Sequence, residues 1–184
     1  FIGFGFGEDE PWGFGAFVKA PGNGTAGSSL TAANLAFQSG ALDLVKISST
    51  TSTFASVTGN AALNGTVVAS FLPGSTVLPQ YRIMEVGSST GNFSGVDAPG
   101  GLVGTVSFGA NAVFLNFALD WASKYNLNIN QANVARTLVN QFNVNGTIPA
   151  AFASLTPAGL TQVSGELATG SQQASYSRAW VGDR

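Results

Sequence analysis

The sequence predicts a mainly β fold that ends in a helical segment, and three observations carry that expectation. Between about Leu30 and Leu119, short runs rich in Val, Ile, Thr and Phe are separated by Gly, Asn and Pro. No helix-length stretch of period 3.6 intervenes between them. In "AVFLNFAL" (112–119), Val113, Leu115, Phe117 and Leu119 alternate with Phe114, Asn116 and Ala118, which is the two-residue period of a strand. After Asp120 the apolar spacing changes to four, with Val134, Leu138 and Phe142 on one helical face.

Taken in order, residues 1–20, "FIGFGFGEDEPWGFGAFVKA", alternate Phe and Gly around the acidic cluster Glu8-Asp9-Glu10 and stay unassigned. The strand-like runs are "LDLVKI" (42–47), "STFASV" (52–57), "LNGTVVASF" (63–71), "YRIMEV" (81–86), "VGTVSF" (103–108) and "AVFLNFAL". Thr58-Gly59-Asn60, Pro73-Gly74 and Gly87-Ser88-Ser89 read as the turns that end three of them, and Gly109-Ala110-Asn111 as a hairpin turn. Asn130 is placed to cap a helix over "QANVARTLVNQF", which Asn145-Gly146 ends. Thr147 and Pro149 predict a second short helix through Leu155. Thr156 and Pro157 predict a third, carrying Leu160, Val163 and Leu167 and weakened by Gly165 and Gly170.

Composition excludes whole classes of chemistry. The 184 residues contain no Cys and no His, so disulfides, thiolate or imidazole metal sites, cysteine nucleophiles and His-based triads are out of reach. Catalysis would have to use carboxylates, lysine or tyrosine. Net charge is −2, and the seven Lys and Arg residues are scattered, unlike the clustered basic face of a nucleic-acid binder. No uninterrupted apolar run reaches the roughly 18 residues of a membrane-spanning helix. The first residue is Phe1 and no signal peptide is recognisable, which predicts a processed or excised fragment.

"APGNGTAGSSL" (20–30) contains Gly22-x-Gly24-x-x-Gly27, the spacing of a dinucleotide-binding loop, with Asp43 where a ribose-binding acid would fall. Such a loop must lead into a helix and a crossover between parallel strands. Here strand follows strand across a few turn residues, so the glycines are read as a turn. Two all-β architectures remain on composition alone, an antiparallel sandwich and a parallel β-helix.

The phrases "APGNG…GSSLTAANLAFQSGALDLVKI", "STFASVTGNAALNGTVVASF" and "YRIMEVGSSTGNFSGV" resemble the last passenger coils of a bacterial autotransporter, a type V secretion protein. "LNINQANVARTLVNQFN" and "IPAAFASLTPAGLTQVSGELATGSQQ" resemble the helical segment that joins passenger to translocator in that family. The resemblance covers roughly residues 21–176, and it departs at residues 1–20 and at "SYSRAWVGDR", where no barrel strand follows. It implies the end of a right-handed parallel β-helix with a C-terminal helical segment: residues 1–20 unassigned, 21–119 terminal coils and cap, 120–184 helical linker. Leu44, Val67, Ile83, Val106 and Leu115 would face the interior, with Val45 and Val68 as the alternative set, and the hairpin of Phe108 to Leu119 would cap the stack.

The same resemblance implies a non-catalytic junction piece that supports passenger folding and secretion. Its implied partners are upstream passenger coils and the outer-membrane translocator barrel, and its implied location is the cell surface or extracellular space at the outer membrane. The alternative is a surface adhesin that binds through exposed aromatics, drawn from Trp12, Tyr81, Trp121, Tyr125 and Trp180. A hydrolase would need a carboxylate pair such as Asp43 with Glu85 or Glu85 with Asp97. No catalytic, cofactor-binding or metal residue is assigned, and no cofactor or nucleic-acid partner is expected.

Overall fold

The computed structural model describes residues 18–19 and 26–165. Among the described residues, twelve strands and three helices follow one another: β1 (Val18–Lys19), β2 (Ser29–Ala32), β3 (Leu35–Ala36), β4 (Leu42–Ile47), β5 (Phe54–Leu63), β6 (Thr66–Phe71), β7 (Thr76–Val77), β8 (Gln80–Gly91), β9 (Gly95–Asp97), β10 (Leu102–Phe108), β11 (Ala112–Leu119), α1 (Ile129–Asn145), β12 (Ile148–Pro149), α2 (Ala150–Ala153) and α3 (Pro157–Ser164).

The strands form three separate sheets. The four-stranded sheet has the order β1-β4-β6-β9, with every pair parallel. The six-stranded sheet has the order β10-β11-β8-β5-β2, with β3 also on β5. Within it, β2 and β3 run parallel to β5 and β5 runs parallel to β8, whereas β8-β11 and β11-β10 are antiparallel. The third sheet is the short antiparallel pair of β12 and β7.

These sheets overturn the expected right-handed parallel β-helix. Among the described residues no sheet curls or closes on itself as that architecture requires; they form a mixed α/β domain of three sheets and three helices. The physical reason lies in the second half of the chain. After the three-residue β9 the chain does not return to the four-stranded sheet. Pro99-Gly100-Gly101 redirects it, and the hairpin of β10 and β11 docks antiparallel on β8. The autotransporter resemblance, which rested on short sequence phrases and implied continuous stacked coils, falls with that architecture.

One core fills the space between the sheets, and alternation decides who enters it. In β4, Asp43, Val45 and Ile47 point inward while Leu44 and Lys46 are half-buried. Parallel register stacks like on like, so Val45 sits beside Ala69 and Asp43 beside Val67, which sits beside Val96. Of the residues expected to face inward, Val67, Ile83 and Leu115 are fully buried. Val45 takes the place expected for Leu44, while Val68 and Val106 are only half-buried. In β11, Val113, Leu115, Phe117 and Leu119 are all buried, as their period requires.

Asn128, rather than the expected Asn130, caps α1. Its side chain accepts from Gln131 N–H while the Gln131 side chain accepts from Asn128 N–H, a reciprocal capping box. Gly146 ends the helix with φ +67°. The helix expected over Thr147–Leu155 is shorter: Ile148 and Pro149 pair with β7, and only Ala150–Ala153 are helical. Thr156 caps α3 with Pro157 following, and Leu160 is buried while Val163 is exposed. Leu167 and Gly170 lie outside the described residues. Ala135, Leu138, Phe142, Ile148 and Leu160 belong to the same hydrophobic cluster as the strands.

Trp121 ties the helical segment to the sheets. Its indole is 1 % exposed, and its Nε1–H donates to the Leu155 carbonyl at 2.8 Å. Gly101 lies flat against the ring, where a Cβ would overlap indole Cδ2 and Cε2.

Candidate functional site

The acidic and glycine-rich candidates do not converge. Gly22 and Gly24 lie outside the described residues. Gly27 sits in a turn with φ +86° that opens into β2, a strand and not a helix, so no helix N-terminus is available for a pyrophosphate. Asp43 is buried in the four-stranded sheet. Asp97 is on the outward face of β9 in that sheet, and Glu85 is exposed on β8 of the other sheet, paired with Arg82 at 3.2 Å. Neither proposed carboxylate pair shares a face, so neither can straddle a glycosidic bond. Glu8, Asp9 and Glu10 lie outside the described residues, and among the described residues no group of three or more metal-ligating side chains comes together.

The aromatic candidates pack instead of presenting themselves. Trp121 and Tyr81 are buried. The Tyr81 hydroxyl donates to Thr76 O at 3.1 Å and accepts from Leu78 N–H at 2.8 Å, and its ring meets Phe117 edge-on at 6.0 Å. Tyr125 is half-buried against the core. Trp12 and Trp180 lie outside the described residues. Among the described residues, no helix is long and apolar enough to cross a membrane.

What the topology does leave open is a strand edge. Every sheet has two, and an edge with free N–H and C=O groups is a template for another chain unless it is blunted. The outer edge of β4 is blunted twice: β1 pairs with Leu42 and Asp43, and Thr53 folds back on Lys46. Thr53 N–H donates to Lys46 O at 2.8 Å, and Lys46 N–H donates to Thr53 Oγ1 at 3.2 Å. At the far end of the six-stranded sheet, β10 lies against β9, with Val96 packed over Gly104.

The outer edge of β2 has no such cover among the described residues. Phe54 N–H donates to Ser28 O, and the register Ser29↔Phe54 then directs Leu30 and Ala32 main-chain groups toward β5. Ser29 and Thr31 therefore direct their N–H and C=O groups away from the sheet, and both residues are exposed. Residues 26–36, "AGSSLTAANLA", contain no Pro and no charge, the two devices that most often protect an edge.

The side chains repeat the message. Two apolar columns run across the sheet, Leu30–Ala55–Met84 and Ala32–Val57–Val86. Ala55, Met84, Val57 and Val86 are at most 3 % exposed, but Leu30 and Ala32 at the edge are only half-buried. Among the described residues, both columns end at β2. Sequence reading passed over this edge, although the signal was present in the uncharged, period-2 run "SLTAANLA".

Two open surface grooves lie elsewhere on the described residues. One, of about 260 Å³, lies beside Trp121, Leu127, Arg136 and Val139. The other, of about 390 Å³, lies between β9 and β10 and is lined by Phe93, Val96, Gly104 and Phe108. Neither brings a nucleophile and a base together.

No known protein family, curated protein or solved structure matches this chain. With no match and no solenoid, the autotransporter junction role, and with it a place as a type V passenger segment at the outer membrane, has no support.

Proposed function

We propose that this domain is a non-catalytic interaction module that binds an extended segment of another polypeptide by strand addition along the outer edge of β2. The observation that carries the reading is the coincidence, among the described residues, of two uncovered features at one edge: the outward main-chain groups of Ser29 and Thr31, and the half-buried ends of the columns at Leu30 and Ala32. Main-chain hydrogen bonds give such a complex its affinity, and alternate side chains give it selectivity. The preferred segment runs parallel to β2. It is uncharged and places small or branched apolar residues two apart, over Leu30 and Ala32.

The probe is a synthetic peptide of residues 54–63, "FASVTGNAAL", which already has the pattern that pairs with β2 from its other side. Binding of this peptide to the full chain is expected, and Thr31→Pro is expected to abolish it. Proline at 31 removes a donor that faces away from β5, so the β2–β5 ladder keeps its own hydrogen bonds. Equal binding by the wild-type chain and Thr31→Pro would refute the reading.

A further inference from the structure

We infer that Asn64–Gly65 is a site of spontaneous covalent modification, deamidation through a succinimide, built into the turn between β5 and β6. The reaction needs an Asn side chain whose carbonyl carbon lies within reach of the next residue's main-chain nitrogen, a small following residue, and water. All three are present. Asn64 is exposed, and Gly65 N lies 2.8 Å from Asn64 Oδ1, donating its hydrogen to that oxygen. Among the described residues, nothing else accepts the Gly65 N–H.

The chemistry is closed without an enzyme or an oxidant. A solvent base takes the Gly65 amide proton, the nitrogen attacks Asn64 Cγ, and the side-chain nitrogen leaves as ammonia. Water then opens the five-membered imide at either carbonyl. One opening leaves an ordinary aspartate at position 64. The other gives an isoaspartyl linkage, in which the main chain runs through the former side chain and gains a methylene.

The fold retains this reactive pair because it cannot change the glycine. Gly65 has φ +78°, a region L side chains rarely adopt, and a Cβ there would overlap the Ala41 carbonyl. The same turn is stacked between its neighbours. Thr66 N–H donates to Ala41 O at 2.9 Å, and Gly65 O accepts from Ser94 N–H at 2.6 Å and Ser94 Oγ at 2.7 Å. An extra main-chain methylene at 64 lies between buried Leu63 and buried Gly65 and displaces those bonds. Modification therefore adds a negative charge and loosens the stacked turn together.

The protein contains an internal control. Asn145–Gly146 has the same residue pair and Asn145 is also exposed, but Gly146 N–H is held by Phe142 O at 2.8 Å in the helix cap. That bond must open before the nitrogen can attack.

The test incubates the full chain at mildly alkaline pH, natively and in urea, and follows tryptic peptides 47–82 and 137–178 by mass spectrometry with fragment-level assignment. In the native chain the Asn64 peptide is expected to gain about 1 Da, at least roughly tenfold faster than Asn145, whose hydrogen bond must break first. In urea the two rates should converge, and Asn64→Ser should remove the gain at position 64. The inference is overturned if native Asn64 reacts no faster than Asn145. It is equally overturned if folding slows Asn64 about as much as it slows Asn145.

Discussion

Gly101→Ala isolates the contact that joins the strands to the helices. The added Cβ would lie 2.6 Å from Trp121 Cε3 and closer still to Cδ2 and Cε2. Carbon atoms pack at about 3.5–4.0 Å, so ring and strand must separate by roughly 1.5 Å. Overpacking of this kind costs about 1–3 kcal/mol. The indole cannot retreat freely, because Nε1 is fixed to Leu155 O and the side chain is 1 % exposed. Losing that bond adds about 1 kcal/mol. At roughly 2–4 °C per kcal/mol for a chain of this size, the melting temperature should fall by about 5–15 °C. The assay is thermal unfolding followed by near-UV circular dichroism, with Trp121→Leu introduced alone and into Gly101→Ala. The double variant should lose less than the sum of the two single losses, since the smaller side chain leaves room for the methyl. A Gly101→Ala chain melting within about 2 °C of wild type would refute the reasoning.

Two further outcomes follow from the helix cap and the buried tyrosine. Asn128→Ala removes the side-chain half of the capping box and should cost about 1 kcal/mol by denaturant unfolding. Burial raises the Tyr81 hydroxyl above the ordinary tyrosine range, by more than the hydrogen bond from Leu78 N–H lowers it. The folded chain thus keeps this proton to a higher pH than the unfolded chain. The resulting stability is fully present below the unfolded value near 10 and is lost as pH rises through the folded one. A Tyr81→Phe variant should start less stable, having lost its bond to Thr76 O, and should show a flatter decline of unfolding free energy above about pH 10.

Local elements were more legible in the sequence than their assembly. Strict alternation fixed β11, and the four-residue spacing of Val134, Leu138 and Phe142 fixed α1, because both periods follow directly from backbone geometry. Thr58-Gly59-Asn60 and Gly87-Ser88-Ser89 were misread as turns. At both places the strand continues, and the glycines serve close approach of neighbouring backbones: a Cβ at Gly59 would meet Ala33 O and one at Gly87 would overlap Thr58 O. Composition cannot distinguish a glycine that turns the chain from one that lets two strands touch. Asn130 is the cap the sequence suggests, but the reciprocating Gln131 selects Asn128.

Sheet pairing was beyond reach for a different reason. A strand's residues record which of its faces is buried, and say little about whether its neighbour runs parallel or antiparallel. The resemblance to passenger coils supplied one parallel stack over residues 21–119 capped by a hairpin of Phe108 to Leu119; the antiparallel β10–β11 hairpin is present, but the strands divide into three separate sheets and not one solenoid. The open edge of β2 belongs to the same class of information. Its uncharged, proline-free sequence was visible throughout, but its exposure depends on which strands lie beside it.

Site-resolved amide hydrogen exchange of the full chain, with and without the 54–63 peptide, tests the strand-addition account most directly. The account predicts fast exchange at Ser29 and Thr31 in the free chain, slow exchange at Leu30 and Ala32, and slowing of Ser29 and Thr31 by at least about tenfold when the peptide is bound, equivalent to roughly 1.4 kcal/mol. It would be contradicted by Ser29 and Thr31 amides that are already protected in the free chain and unchanged by the peptide.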